Sequence, residues 1–97
     1  MLELRHLRSL IAIADTGKLA SAAERVHLTQ SALSHQIKAL ESHHDITLFE
    51  RTRQGLRFTP AGQRLLALAR DVVAQVSEAE RDPVSYTHLR AHETSLH

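Results

Sequence analysis

Apolar positions along most of the chain recur three and four apart, the spacing of an amphipathic helix, with short interruptions between the runs. Over residues 3–16, Leu7, Leu10, Ile11 and Ala14 form one stripe and predict a first helix. Gly17 predicts its end, because glycine adopts the left-handed conformation that a helix C-terminus often requires. Residues 18–26 predict a second helix with Leu19, Ala22, Ala23 and Val26 inward. Alanines at 20, 22 and 23 allow a close crossing over the helix that follows. That third helix begins at Gln30 behind Thr29, a residue suited to cap free amides, and its stripe is Leu33, Ile37 and Leu40. After Asp45 the period shortens to two. The run Leu56-Arg57-Phe58-Thr59 alternates and predicts a small hairpin, with Gln54-Gly55 at the tip and Leu56 and Phe58 on the core side. Thr59-Pro60 then predicts a capped start for a last helix. Its apolar positions, Leu65, Ala69, Val72, Val76 and Ala79, lie four, three, four and three apart. A rod of about 30 Å is too long for so small a core to cover, so this heptad seam asks for a partner helix. An identical chain is the simplest supplier, the alternative being a monomer that uses the seam internally.

The polar face of the third helix carries the candidate chemistry. Gln30, Ser31, Ser34, His35 and Lys38 gather hydroxyl, amide, imidazole and ammonium groups on one side, where a solvated helix usually alternates Glu with Lys. Such groups can reach base edges in a major groove, although a merely solvated face has the same periodicity. Helix, short turn and helix is also the arrangement of a helix-turn-helix reader, here without the glycine often found in the turn. Arg51, Arg53 and Arg57 cluster around the predicted hairpin, which is either an exposed basic loop or a wing that touches phosphates and enters a minor groove.

Composition narrows the picture. The chain has 97 residues, enough for about one small domain, and its 42% hydrophobic but only 3% aromatic content favours packed helices around an aliphatic core. It has no cysteine, which excludes disulfides and thiolate metal sites and suits a reduced cytoplasmic setting. No apolar run approaches the length of a membrane span. The formal charge is +1, so any DNA affinity rests on local placement of Lys38 and the hairpin arginines. No glycine-rich phosphate loop, H-E-x-x-H motif or cysteine nucleophile is present, and no enzyme activity or cofactor is expected. Ser34 beside His35 is no nucleophile and base, since neighbours on a helix do not face each other.

The ordered segments E-L-R-H-L, A-A-E-R-V-H-L-T-Q-S-A-L-S-H-Q-I-K-A-L-E, L-F-E-R and L-R-F-T-P-A-G together resemble the N-terminal DNA-binding domain and linker helix of the LysR-type transcriptional regulators. The resemblance implies a mainly α fold: a winged helix-turn-helix of three helices plus a β-hairpin wing over residues 1–59, then a linker and dimerisation helix over 60–82. Carried onto this chain, the family's base-reading positions fall at Gln30, Ser31, Ser34 and His35. Thr29 and Lys38 match backbone-contacting positions, and Arg51 and Arg53 lie in the wing. Ser31 stands where most members have proline. His35 stands where most have arginine, which removes a guanidinium fork to guanine. The S-A-L-S-H-Q run and the opening M-L-E-L-R-H-L resemble the methionine-biosynthesis regulators of the family, which answer to homocysteine through a separate effector domain. The implied partners are double-stranded DNA and a second copy of the chain, joined through Leu65, Ala69, Val72 and Val76. The effector domain and its co-inducer site are expected to be absent from this chain.

Pro83 ends the heptad, and residues 83–97 have no period. The run V-S-Y-T-H-L-R-A-H-E-T resembles one translated frame of a transposon-end adapter used in sequencing libraries. The expectation is a tail that is non-native or disordered, with the natural frame lost near Asp82. His88 and His92 stand four apart but have no identifiable third ligand, so no metal site is expected there. A competing function is a winged-helix module whose basic wing meets an acidic protein partner. Dependence of binding on salt and base sequence separates it from DNA reading.

Overall fold

In the computed structural model the described residues are 2–81; the expectations for residues 83–97, His88 and His92 included, lie outside them. The first helix, α1 (Leu4–Thr16), ends at Gly17, whose φ of 72° lets its N–H reach the Ile13 carbonyl at 2.8 Å. Its buried surface differs from the expected stripe. Leu7, Leu10, Ala12 and Ile13 are buried, with His6 and Ser9, while Ile11 and Ala14 are only half-buried. The physical reason is that α1 packs against α2, α3 and the last helix, so its covered arc is wider than one stripe.

Seven residues long, α2 (Leu19–Arg25) is too short to be stable alone and depends on packing. Ala22 and Ala23 are buried without bulk, which brings it close to α1 and α3. The turn to the next helix lacks glycine, so His27 takes the left-handed conformation at φ 60°, a strained choice for a residue with a Cβ. Leu28 closes the turn with its N–H on the Ala23 carbonyl at 2.9 Å. Thr29 caps α3 (Gln30–His44) as expected, its hydroxyl accepting the Ala32 N–H at 3.0 Å. Leu33, Ile37 and Leu40 point into the core, and Asp45 ends the helix at φ 52°.

The period-two segment forms β1 (Phe49–Thr52) and β2 (Gly55–Phe58), antiparallel with Phe49 opposite Phe58 and Thr52 opposite Gly55. The tip is therefore Arg53-Gln54, one residue earlier than expected. Thr52 determines this: its hydroxyl donates to the Gly55 carbonyl at 2.9 Å and accepts the Gln54 N–H at 3.2 Å. Thr59 caps α4 (Pro60–Arg81) by accepting the Gly62 N–H at 3.0 Å. A Cβ at Gly62 would lie 2.2 Å from the Leu48 carbonyl oxygen, so only glycine lets α4 start this close to the wing.

Leu10, Ile13, Leu33 and Leu48 are the largest fully buried side chains, and Phe49, Leu56 and Phe58 pack the wing against them. From there α4 lies along α1. Arg70 bonds Asp15 at 2.9 Å, and Arg8 stands 3.9 Å from Glu80.

Candidate nucleic-acid interface

The buried stripe of α3 sets which of its residues face outward. Thr29, Gln30, Ser31, His35 and Lys38 are exposed and Ser34 is half-buried, so one side of the helix carries the whole expected reading set. A second contact determines the rotation of α3. Ser9 is buried in α1, and its hydroxyl donates to Gln36 Oε1 on α3 at 2.5 Å. Narrow apolar stripes tolerate rolling; a partly buried hydrogen bond between two helices resists it.

Glu41 is the one carboxylate within α3, and it lies on the side of Ser34 and Lys38, at the border with the buried stripe. Its Oε2 accepts the Leu48 N–H at 2.7 Å and the Phe49 N–H at 3.4 Å, which ties α3 to the root of the wing. Residues with no obvious signal in the sequence thus do two jobs. Ser9 and Gln36 orient the helix, and the amides of Leu48 and Phe49 engage the carboxylate of Glu41.

Opposite strand partners share a face, so Phe49, Arg51, Leu56 and Phe58 lie on the side of the hairpin that meets the core. Arg51 accordingly lines a cleft with Ser34, Lys38 and Glu41, and Arg53 at the tip lines another with Arg51 and Gln30. Arg57 is not brought to this group. It lies on the other face of the ribbon, where it pairs across the strands with Glu50 at 3.0 Å. Lys18, at the start of α2, is a cation that the periodicity does not single out, and it lines the same cleft as Arg51 and Arg53.

The seam residues of α4 also divide. Leu65 packs against the core and Ala69 is fully buried within its own chain, whereas Val72 and Val76 are half-buried. Leu68, which the heptad reading leaves out, is 47% exposed. It stands four residues before Val72 on the side turned away from α1.

His43 and His44 meet edge to face at 4.9 Å, and among the described residues no group of three His, Cys, Asp or Glu is placed to hold a metal ion. His6 has a structural part: its Nδ1 accepts the Glu3 N–H at 3.0 Å at the head of α1. Burial holds its imidazole below the ordinary value of 6.5, against the opposing pull of Glu3 and aided by Arg5. No helix among the described residues is long and apolar enough to cross a membrane.

The comparisons with known proteins agree with this geometry. Residues 4–63 match the family described as bacterial regulatory helix-turn-helix protein, lysR family. The chain is 53% identical over 87 residues to the HTH-type transcriptional regulator MetR of Haemophilus influenzae, covering 90% of this chain and 28% of that protein. It is 51% identical over 79 residues to MetR of Escherichia coli strain K12, covering 81% and 25%. The chain thus spans about a quarter of the length of these curated relatives. Among solved structures, the DNA-binding domain of CbnR in complex with DNA superposes with a TM-score of 0.75 at 31% identity, covering 89% of this chain and 99% of that one. The BenM DNA-binding domain with benA site 1 DNA gives 0.76 at 32% identity, covering 90% and 96%.

Proposed function

The chain belongs to the LysR family of bacterial regulatory helix-turn-helix proteins, and on that premise we propose that it is the DNA-reading part of a cytoplasmic transcriptional regulator of methionine-biosynthesis genes. It binds a promoter site as a homodimer and catalyses nothing. The observation that carries this reading is the outward face of α3: Gln30, Ser31, Ser34 and His35 are uncharged donors and acceptors, Lys38 is the cation beside them, and the helix's one carboxylate is engaged elsewhere. A face whose single carboxylate is held by two backbone amides can enter a groove walled by phosphates, and its short polar side chains can exchange water for base edges.

Each group has a role. Gln30 suits adenine, whose N6 and N7 match an amide in two bonds. His35 makes one directed bond where an arginine would make two, so its base preference is weaker. Thr29 commits its hydroxyl to the helix cap, and Lys38 and Arg51, which line one cleft, supply positive charge to the phosphates that flank a groove. Arg53, at the wing tip, is the group that reaches furthest toward a minor groove. The subgroup is supported by the identity to MetR of two bacteria and by the S-A-L-S-H-Q segment within α3.

Fluorescence anisotropy on a methionine-pathway promoter fragment and on scrambled DNA, at low and near-physiological salt, tests the proposal. Preference for the promoter that survives the higher salt is the expected result, with Gln30→Ala reducing that preference by roughly 1–3 kcal/mol. Equal binding to both DNAs that vanishes with salt would refute base reading, leaving only a basic surface.

A further inference from the structure

A single sugar-phosphate strand separates the major groove of a duplex from the neighbouring minor groove. If α3 occupies one groove and the wing the next, that strand must pass between them. The structure has a cleft of about 480 Å³ at this place, with Arg51 and Arg53 of the wing on its lining, Gln30 of α3 beside them, and Lys18 contributed by the turn between α1 and α2. Wing and turn meet at its base, where a Cβ on Gly55 would stand 3.6 Å from the Gly17 carbonyl oxygen. No aspartate or glutamate lines the cleft.

The charges elsewhere make the contrast. Arg5, Arg8, Arg25, Arg57 and Arg70 each have a carboxylate partner. Among the described residues Lys18, Lys38, Arg51, Arg53, Arg64 and Arg81 form no ion pair, and of these Lys18, Arg51 and Arg53 converge on one channel. Lys18 is exposed, and its side chain makes no capping bond to α2, so the local fold does not use its ammonium. A compact, mobile point charge suits a phosphate whose exact position follows the DNA.

Building on the DNA-reading proposal, we propose that this cleft seats the phosphates of one DNA strand and that Lys18 contacts a phosphate from the side opposite the wing. Lys18 supplies affinity without sequence information, because a phosphate is the same under every base. The cleft also sets the spacing between the two readers, since the strand is held between Lys18 on the turn and Arg51 and Arg53 on the wing.

The test is a salt titration of promoter and scrambled DNA binding for the unsubstituted chain, Lys18→Gln, Lys18→Arg and Arg81→Gln, the last an exposed cation at the far end of α4. Removal of one phosphate contact lowers the slope of log affinity against log salt by about 0.9, so Lys18→Gln should lose about three-fold less affinity than the parent between about 50 and 200 mM salt. Lys18→Arg should restore the slope, Arg81→Gln should leave it unchanged, and the ratio of promoter to scrambled affinity should hold throughout. A parental slope in Lys18→Gln, with the unsubstituted chain still binding DNA, overturns the contact and leaves the DNA-reading proposal standing. A fall in the promoter preference with no change in slope overturns it too, since the contact would then be to a base. Failure of the unsubstituted chain to bind either DNA overturns both.

Discussion

His6 shows how one residue ties the fold to pH. Its Nδ1 accepts the Glu3 N–H, which requires that nitrogen to be unprotonated, and burial holds the pKa below 6.5. Above that value the imidazole is neutral in both the folded and the unfolded chain. As pH falls through 6.5 the unfolded chain takes up a proton that the folded chain resists, so stability declines until the lower folded pKa is passed. Thermal unfolding at a pH above 6.5 and again about one unit below it should therefore show a loss on acidification. The loss should shrink in His6→Gln, which keeps an acceptor but does not titrate. An equal loss in both chains would show that His6 is not its source. Little of this is legible in the sequence, where His6 is a polar residue in the first helix and nothing marks it as buried. His27 is similar. Its left-handed φ of 60° lies in the short turn between α2 and α3, where the sequence marks only the absence of a glycine.

At the scale of the elements, local chemistry decides the ends of helices and neighbours decide how they sit. Thr29, Thr59 and Gly17 act within a few residues of themselves, and the structure agrees with the reading of each. The link between α3 and the wing is different, because Glu41 reaches amides seven and eight residues away. A carboxylate on two backbone amides contributes on the order of 1–3 kcal/mol, toward the lower end for this half-exposed group. Glu41→Gln keeps an acceptor oxygen and should cost about 1 kcal/mol, and Glu41→Ala about 2. Urea unfolding measures that cost, and amide exchange at Leu48 and Phe49 reports the wing. Unchanged protection of both amides in Glu41→Ala would show that the wing is held by Phe49, Leu56 and Phe58 alone. The hairpin tip fell one residue from its expected place for a comparable reason. The alternation identifies a strand, but the Thr52 hydroxyl closes the turn and so selects the register.

For the whole molecule the question is which apolar surface remains once the chain has folded. The heptad reading takes Leu65, Ala69, Val72 and Val76 as one seam, yet α4 uses part of that seam on α1, where Ala69 is fully buried. Leu68 and Val72, with Ala79 one heptad beyond Val72, make the stripe turned away from α1. If α4 pairs two copies, Leu68→Glu should weaken the dimer by at least about ten-fold, since a buried leucine contributes roughly 2 kcal/mol, while the helical circular dichroism of the chain is retained. Ala69→Glu should instead unfold the chain, because the charge enters its own core. Sedimentation equilibrium of both variants separates the two roles, and a parent that stays monomeric at every concentration would end the dimer reading. Periodicity, caps and the shift from period 3.6 to period 2 were enough to determine the helices, the hairpin and the polar face of α3, since those signals act over a few residues. Only tertiary structure decided that Glu41 bonds the amides at the root of the wing, that Arg57 pairs on the far side of the wing, that Lys18 joins Arg51 and Arg53, and that Leu68 is exposed in place of Ala69. Each of those outcomes depends on which segments meet, and periodicity records that a residue is apolar or charged without recording what stands opposite it.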